Sequence, residues 1–198
     1  MERLQRYGWL AGLIPLIWLA LGVWQNTLGA NPVERLIRGS GDWALWWLLL
    51  TLAISPLRRL TGWSGWSRWR RPLGLLCFFY ALLHVTCYGV LEHFFSWEGI
   101  WRDLLKRPYI TVGFVAFLLL LPLAITSTRG WMRRLGKQWG RLHLLVYPAA
   151  LLVIGHYFLM TKADYRMPLV HAGVLGGLLG WRVWRRLAPG GMRGGVSM

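Results

Sequence analysis

One stretch of nearly continuous apolar sequence, RLHLLVYPAALLVIGHYFLM at 141–160, limits what this chain can fold into. It carries His143 at one end and His156 near the other. About 20 apolar residues in a helix cross the hydrocarbon layer of a membrane, so the stretch predicts a membrane-spanning helix. Ionisable residues at such depth are costly and usually functional. Both histidines are therefore candidate site residues.

The spacing of these two histidines excludes one shared metal ion. Their 13-residue separation corresponds to a rise of roughly 20 Å along an α-helix. A single iron or other metal ion cannot touch both rings across that distance. The two rings are predicted to serve opposite sides of the membrane.

The same apolar pattern recurs along the chain and predicts an all-α, polytopic membrane bundle with six transmembrane helices. Of the 198 residues, 56% are hydrophobic and only 15% are charged, whereas a soluble domain carries roughly 25% charged residues. Since no linker divides the sequence, residues 1–198 are expected to form a single domain. The six predicted spans are 9–25, 43–57, 72–91, 109–125, 142–160 and 168–184.

The basic residues predict the orientation of this bundle. Sixteen of the 23 Lys and Arg lie in the N-terminal segment, the loops 58–71 and 127–141, and the tail after 181. Because Lys and Arg accumulate on the cytoplasmic face of membrane proteins, both termini are predicted to be cytoplasmic. The net charge of +16 is then mostly a topology signal that suits anionic lipid headgroups. It does not indicate binding to nucleic acid.

A third histidine, His84, lies in the predicted span 72–91. This span and the one that carries His156 both begin at the cytoplasmic side, so the two histidines are expected at the same depth, about 18–20 Å along their helices. Two neutral imidazoles that face each other from two helices are what an iron porphyrin needs as axial ligands. The alternative is a pair of core histidines that bond to the backbone or to each other.

Two interpretations stay open for His143, which lies at the cytoplasmic end beside Lys137 and Arg141. It is either an interfacial histidine near lipid headgroups or part of a second cofactor site where electrons enter. A partner at the same depth would lie near Arg70 and Arg71, at the start of the span 72–91, and no histidine occurs there. The basic cluster around it suits an anionic headgroup, a flavin phosphate or haem propionates.

Other residues are predicted to have structural roles. His93 and His171 are expected to be solvated near the outer surface, and Cys77 and Cys87 are too far apart on one helix for a disulfide. A set of glycines in the last span forms two GxxxG patterns, which predict close packing against another helix or, alternatively, close approach to a flat cofactor. These glycines are Gly173, Gly176, Gly177 and Gly180.

Two classes of function are consistent with these features. One is an electron-transfer subunit, and the other is a small permease or membrane scaffold whose histidines relay protons or pack without haem. No dinucleotide-binding, Walker or nucleophile motif occurs, so no catalytic residue is predicted. A self-contained ferric reductase is disfavoured because the chain has no room for a nicotinamide-nucleotide domain. If the chain transfers electrons, the electron donor and the terminal acceptor must therefore be other molecules.

Four segments have a distinctive sequence: LGANPVE at 28–34, RRPLGLLCFFYALLHVTCY at 70–88, RPYITVG at 107–113 and ITSTRGWMRRLGKQWGRLHLLVY at 125–147. They resemble a known family of membrane proteins, the haem-binding MsrQ (YedZ) subunits of bacterial methionine sulfoxide reductase systems. More distantly, they resemble the ferric-reductase-like transmembrane domain of NADPH oxidases and metalloreductases. The resemblance covers essentially the whole chain.

This resemblance implies haem b as cofactor, with His84, His143 and His156 at the family's iron-binding histidine positions, and an association with FMN. It implies that this chain lies in the bacterial inner membrane and that its partner is MsrP, a periplasmic molybdopterin reductase. Electrons would come from the quinone pool or a cytoplasmic flavin reductase. In two-haem members of the superfamily, the third and fifth helices each carry two histidines. Arg70 stands about where the inner histidine of the third helix would be, so the number of haems stays open.

The outer loops lead to a hypothesis about the partner. The loop 92–108 is the longest segment near the predicted depth of His84 and His156, and it carries Glu92, Glu98 and Asp103. Charges at the rim of an interface mainly affect the association rate. A periplasmic partner is therefore expected to dock around these three carboxylates.

Overall fold

A computed structural model describes residues 2–187 of the chain, without the side chains of residues 2–9, 11 and 186. Every regular element within 2–187 is helical, which confirms the all-α prediction. The basic tail beyond residue 187, on which part of the predicted orientation rests, lies outside the described residues, as do the side chains of Arg3 and Arg6. The helices are α1 (Glu2–Trp24), α2 (Pro32–Thr61), α3 (Arg70–Cys87), α4 (Trp97–Lys106), α5 (Pro108–Ile125), α6 (Arg129–Leu135), α7 (Lys137–Leu142), α8 (Val146–Met160) and α9 (Arg166–Leu187).

Each of the six predicted spans falls on a long helix, namely α1, α2, α3, α5, α8 or α9. Three stretches are long and apolar enough to cross a membrane, and they are Ser64–Glu92, Pro108–Ile125 and Lys137–Met160. A shorter apolar helix covers Gly12–Trp24. The chain is therefore a helical protein with several candidate membrane spans, and the count of six stays a prediction.

The ends of the long helices follow from local sequence. The Asn31 side chain accepts a hydrogen bond from the backbone N–H of Glu34 at the start of α2, and Pro32 occupies the first turn, where a missing N–H costs nothing. Gly62 ends the same helix with φ of 68°, a left-handed conformation that glycine adopts without strain. Pro108 begins α5 in the same way as Pro32 begins α2.

The core lies where two antiparallel helix pairs meet. Helix α2 packs most extensively against α3, and α5 packs against α8. Ala149 and Ala150 of α8 are 0% and 1% exposed, so the small side chains let the helices approach closely. The buried cluster contains Leu45, Leu48, Leu49, Leu52, Cys77, Leu120, Leu123, Ala149, Ala150 and Leu175. As predicted, Cys77 and Cys87 are free thiols, and Cys77 packs in this core.

Helix α4, between α3 and α5, is an element that the sequence analysis treated as loop. Ser96 caps it by accepting a hydrogen bond from the Gly99 N–H. Trp97, Trp101 and Leu105 form one exposed apolar stripe at a spacing of four residues, while charged side chains lie on another face. The spacing of four residues between these apolar side chains is the sequence pattern that could have predicted an amphipathic helix here.

The predicted packing of the α9 glycines is wrong for the described part of the chain. All four are exposed, and a Cβ atom added at any of them would meet nothing within 4 Å. Helix α9 instead packs its buried residues, including Leu175 and His171, toward α2 and α8. The GxxxG face therefore points away from the described part of the bundle, and exposed apolar residues such as Val170 and Val174 accompany it.

Candidate cofactor site

His84 of α3 and His156 of α8 meet inside the bundle, as their matched depth predicted. Their ring centroids lie 6.1 Å apart, and the two ring planes are inclined by 78°. We call these two side chains, together with the backbone carbonyls of Ile37 and Tyr109, the paired-histidine site. It lies where the C-terminal halves of α3 and α8 face the N-terminal halves of α2 and α5.

Both rings of the paired-histidine site are oriented by a backbone carbonyl. His84 Nδ1 lies 2.8 Å from the Ile37 oxygen, and His156 Nδ1 lies 2.7 Å from the Tyr109 oxygen. A carbonyl oxygen only accepts hydrogen bonds, so each Nδ1 carries the proton and each Nε2 carries the free lone pair. Among the described residues, neither Nε2 atom has a hydrogen-bond partner. Each histidine is therefore in the tautomer that binds a metal ion through Nε2.

The separation of the two rings fits coordination to one iron. A metal–imidazole nitrogen distance of about 2 Å on each side, with each ring centre about 1 Å behind its nitrogen, places two axial imidazoles about 6 Å apart. Within residues 2–187, no group of three or more His, Cys, Asp and Glu side chains could hold a metal ion. Two imidazoles alone suit an iron whose other ligands are porphyrin nitrogens.

A cavity of about 480 Å³ lies at the other end of the same helices. We call it the basic cavity, after Arg70, Arg71 and Arg182, which line it together with His143 and Tyr147. Helices α2, α3, α5 and α8 contribute its remaining, largely apolar wall. The cationic side chains that share this cavity with His143 therefore come from α3 and α9. Lys137 and Arg141, the basic residues that the sequence placed beside His143, are exposed and do not line it.

His143 enters this cavity with one nitrogen unpaired. Its Nδ1 lies 3.0 Å from the Trp139 carbonyl oxygen, and its ring stacks on the Trp139 indole at 3.9 Å between centroids. Its Nε2 is buried without a hydrogen-bond partner among the described residues. An unsatisfied buried polar atom costs about 1–3 kcal/mol, so the position favours a ligand that bonds this nitrogen.

The local backbone differs from the continuous helix that was predicted over 142–160. His143 begins a 3-10 turn, His143–Leu145, between α7 and α8. Pro148, which cannot donate to the preceding turn, follows in the first turn of α8. His143 and His156 therefore do not lie on one straight α-helix, and the angle between their side chains differs from the angle that 13 residues of ideal helix would give.

The arginines of the basic cavity are held by neighbouring oxygen atoms. Arg70 donates to the Ser55 hydroxyl at 3.0 Å, and Arg182 donates to the carbonyl of Leu178 at 3.1 Å. The guanidinium of Arg182 also lies 5.5 Å from the centre of the Tyr147 ring. These contacts keep positive charge at the cavity, where an anionic or carbonyl-bearing ligand would be attracted.

Two predictions about the remaining histidines are wrong. His171 is only 2% exposed, because α9 places its ring 4.5 Å from that of Trp46 and 5.7 Å from that of Tyr157. Its neighbours in the bundle exclude solvent from a position that the sequence placed near the surface. The side chain of His93 is only 15% exposed, and its Nε2 lies 2.9 Å from the Tyr88 hydroxyl.

The predicted docking role of Asp103 also needs correction. The residue is 9% exposed, and it accepts a hydrogen bond from Tyr88 at 3.0 Å. It also lies 3.1 Å from His93 and 3.2 Å from Arg107. A carboxylate with these partners ties α4 to the end of α3 and is not available at a docking rim. Glu92 and Glu98 are exposed, and Glu98 pairs with Arg102.

Comparison with known proteins gives consistent matches. The family described as "Ferric reductase like transmembrane component" matches residues 40–154. A protein of Xanthomonas axonopodis pv. citri (strain 306), the protein-methionine-sulfoxide reductase heme-binding subunit MsrQ, is 53% identical over 182 residues, which cover 90% of this chain and 84% of that protein. The protein of the same name from Rhodospirillum rubrum is 52% identical over 184 residues, covering 92% and 88%. No solved structure matches the chain.

Proposed function

Because the chain belongs to the ferric reductase-like transmembrane family, and within it to the MsrQ haem-binding subunits, we propose that it is a haem b electron-transfer subunit. It would carry electrons from the quinone pool or a cytoplasmic flavin reductase to the periplasmic molybdopterin reductase MsrP. That partner would reduce oxidised methionine residues in periplasmic proteins. The observation that carries the proposal is the paired-histidine site, where two imidazoles lie 6.1 Å apart with both Nε2 atoms unpaired.

His84 and His156 are the residues that would hold the iron. A bound haem supplies one-electron chemistry between ferric and ferrous iron. The carbonyls of Ile37 and Tyr109 keep each ring in one tautomer and orientation. A hydrogen bond from Nδ1–H makes the imidazole a stronger base, which favours the ferric form of the iron that it holds.

The proposed orientation places the paired-histidine site in the periplasmic half of the inner membrane and the basic cavity at the cytoplasmic side. All six long helices would span the bilayer, with both termini cytoplasmic. Two observations support this placement: the excess of Lys and Arg in the loops 58–71 and 127–141, and the position of Arg70 and Arg71 at the basic cavity. Positive charge on this side agrees with the charge rule for membrane proteins.

The basic cavity is the proposed place where electrons enter. Its unpaired His143 Nε2 suits a hydrogen-bonding or metal-bearing ligand, and its arginines suit an oxygen-rich one. Such a ligand would lie on the cytoplasmic side of the paired-histidine site, in line for transfer across the bundle. The FMN association that the family resemblance implies stays a prediction, and no residue is assigned to it.

Electrons would leave at the opposite end, toward the loop between α3 and α5. Glu92 and Glu98 are exposed there and are the carboxylates proposed to guide a periplasmic partner. Asp103 is left out because its bonds to Tyr88, His93 and Arg107 are internal.

The first experiment is the absorbance spectrum of the purified protein from haem-replete cells. We expect a Soret band together with α and β bands that sharpen when dithionite is added. The reduced protein should then be reoxidised when MsrP and a methionine sulfoxide substrate are supplied. A colourless preparation would contradict the proposal and favour the permease or scaffold.

A further inference from the structure

The two halves of the paired-histidine site repeat one local arrangement. His84 and the carbonyl that it bonds are 47 residues apart in sequence, and so are His156 and its carbonyl. In each case a glycine lies four residues after the carbonyl residue: Gly41 follows Ile37, and Gly113 follows Tyr109. Each glycine therefore lies one helical turn beyond the carbonyl, on the same side of its helix.

The repeat extends to the helices themselves. The residue numbers of the two carbonyls, the two glycines and the two histidines each differ by 72. The similar sequences LAIS at 52–55 and LAIT at 123–126 lie toward the ends of α2 and α5, 71 residues apart and so one residue out of this register. The pairs α2–α3 and α5–α8 are thus equivalent units that face each other across the two rings. The glycine occurs beside the histidine ring in both units, which indicates that it serves the histidine rather than one particular helix.

A side chain at either glycine would press against the histidine ring of the same unit. A Cβ atom at Gly113 would lie 2.7 Å from His156 Nδ1 and 2.9 Å from its Cε1. A Cβ atom at Gly41 would lie 3.0 Å from His84 Nδ1 and 3.2 Å from its Cε1. The 2.7 Å distance at Gly113 is too short for a non-bonded contact between carbon and nitrogen, so the His156 ring would have to move. The 3.0 Å distance at Gly41 requires a shift of only a few tenths of an ångström.

We propose that Gly41 and Gly113 are positioning residues that fix the rotation of the two axial imidazoles. Their missing side chains let each Nδ1–H reach the carbonyl one turn earlier, which holds the ring plane and directs Nε2 into the space between α3 and α8. The inference rests on the proposed haem ligation, and it adds a role for two residues that touch no iron. A side chain at either position turns the ring away from its carbonyl and weakens the bond that sets its basicity.

The test uses full-length holoprotein in detergent, with Gly113→Ala and Gly41→Ala beside two control variants. Gly39→Ala is matched in crowding. Gly39 lies in α2 like Gly41, but its Cβ would lie 3.0 Å from a methyl carbon of Leu19 in α1, and its three nearest atoms all belong to that leucine. Gly155→Ala is matched in position, since it adjoins His156 and its Cβ would meet nothing within 4 Å. Haem content, the midpoint potential and the electron paramagnetic resonance of the ferric protein are measured for each.

We expect Gly113→Ala to have the larger effect. Its haem affinity should fall by about 10- to 100-fold, the usual effect of losing an outer-shell partner of a metal-binding histidine. The low-spin g values should shift because the angle between the imidazole planes changes, and the midpoint potential should rise. Gly41→Ala should show the same shifts at smaller size, while both controls keep the wild-type values.

Unchanged g values and an unchanged potential in both glycine variants, at wild-type haem content, would overturn the inference while leaving haem ligation intact. Equal shifts in Gly39→Ala would also overturn it, because the effect would then be general crowding. If Gly113→Ala does not fold, Gly41→Ala decides alone, since it needs only a small ring displacement. A wild-type protein without haem contradicts the proposed function itself and is recognised before any variant is compared.

Discussion

The paired-histidine site and the basic cavity lie at opposite ends of α2, α3, α5 and α8, and they differ in almost every physical respect. At the first, the two rings His84 and His156 are each bonded to a carbonyl and lie 6.1 Å apart. At the second, one ring, His143, faces a cavity of about 480 Å³ with a nitrogen unpaired and three arginines near it. The first region is symmetric and preorganised, whereas the second is asymmetric and open.

This difference suggests different residence times for what each region binds. Two opposed imidazoles held by the backbone suit a permanently bound iron porphyrin. A roomy cavity with cationic rims and a single imidazole suits a ligand that exchanges or a donor that docks.

The largest effect is expected from His84→Ala and His156→Ala. Each removes one of only two axial ligands, so haem content should fall to a small fraction of the wild-type value, and any remaining haem should lose its low-spin spectrum. Absorbance and electron paramagnetic resonance of the purified variants measure this. Wild-type spectra in both variants would show that the pairing is not the haem site.

A smaller effect is expected from His143→Ala. The low-spin spectrum of the paired-histidine site should stay largely intact, while reduction by a quinol or by a flavin reductase should slow by about tenfold, which corresponds to one lost hydrogen bond of roughly 1.4 kcal/mol. Stopped-flow reduction is compared with dithionite titration of the same sample.

The same variant can also break the comparison. Loss of all haem would make His143 a ligand of the principal site. Loss of a distinct second haem signal alone would show that His143 holds an inner haem without a histidine from α3. Either result would require a different assignment of the basic cavity.

The arginines of the basic cavity should have a weaker effect than His143. Arg71→Gln should slow reduction by the physiological donor by less than about fivefold, since an exposed charge contributes only about 0.2–1 kcal/mol, and the effect should fade at high salt. Arg129→Ala is the matched control, because Arg129 is exposed on the same basic side but does not line the cavity. An equal, salt-dependent loss in the control would assign the effect to the general charge of that side.

The smallest effect is expected at the other end. Reversing Glu92 and Glu98 to Lys should slow electron delivery to MsrP at low salt and leave the Soret band unchanged, because rim charges act on association. Asp103→Ala should instead lower the free energy of unfolding by about 1–3 kcal/mol, since it removes the group that accepts from Tyr88 and pairs with His93. Unaltered delivery by the charge-reversed protein would place the docking surface elsewhere.

The sequence predicted the long helices and the meeting of His84 and His156, because apolar length and equal depth are properties of residue type and spacing. It could not identify the carbonyls of Ile37 and Tyr109, since every residue has a carbonyl and only tertiary packing selects one. Gly41 and Gly113 were visible, but no local turn or positive φ marked them as special.

The errors have a common physical cause. Depth along a helix is readable from sequence, whereas the direction in which a side chain points depends on which helices become neighbours. His171 lies near the start of α9, as the sequence indicates, but its side chain faces inward, between Trp46 and Tyr157. Asp103 was placed in the correct loop, but α4 turns it toward Tyr88 and His93. The glycines of α9 followed a packing motif, but they face away from the described part of the bundle.

The central claim is that His84 and His156 are the two axial ligands of one haem, and electron paramagnetic resonance of the oxidised wild-type protein tests it most directly. Two imidazoles with planes inclined by 78° predict a low-spin ferric signal of the strongly anisotropic type that near-perpendicular axial imidazoles produce. That signal should account for one haem per chain at this site and vanish in His84→Ala. A purely high-spin signal, or a low-spin signal that persists in both His84→Ala and His156→Ala, would contradict the claim.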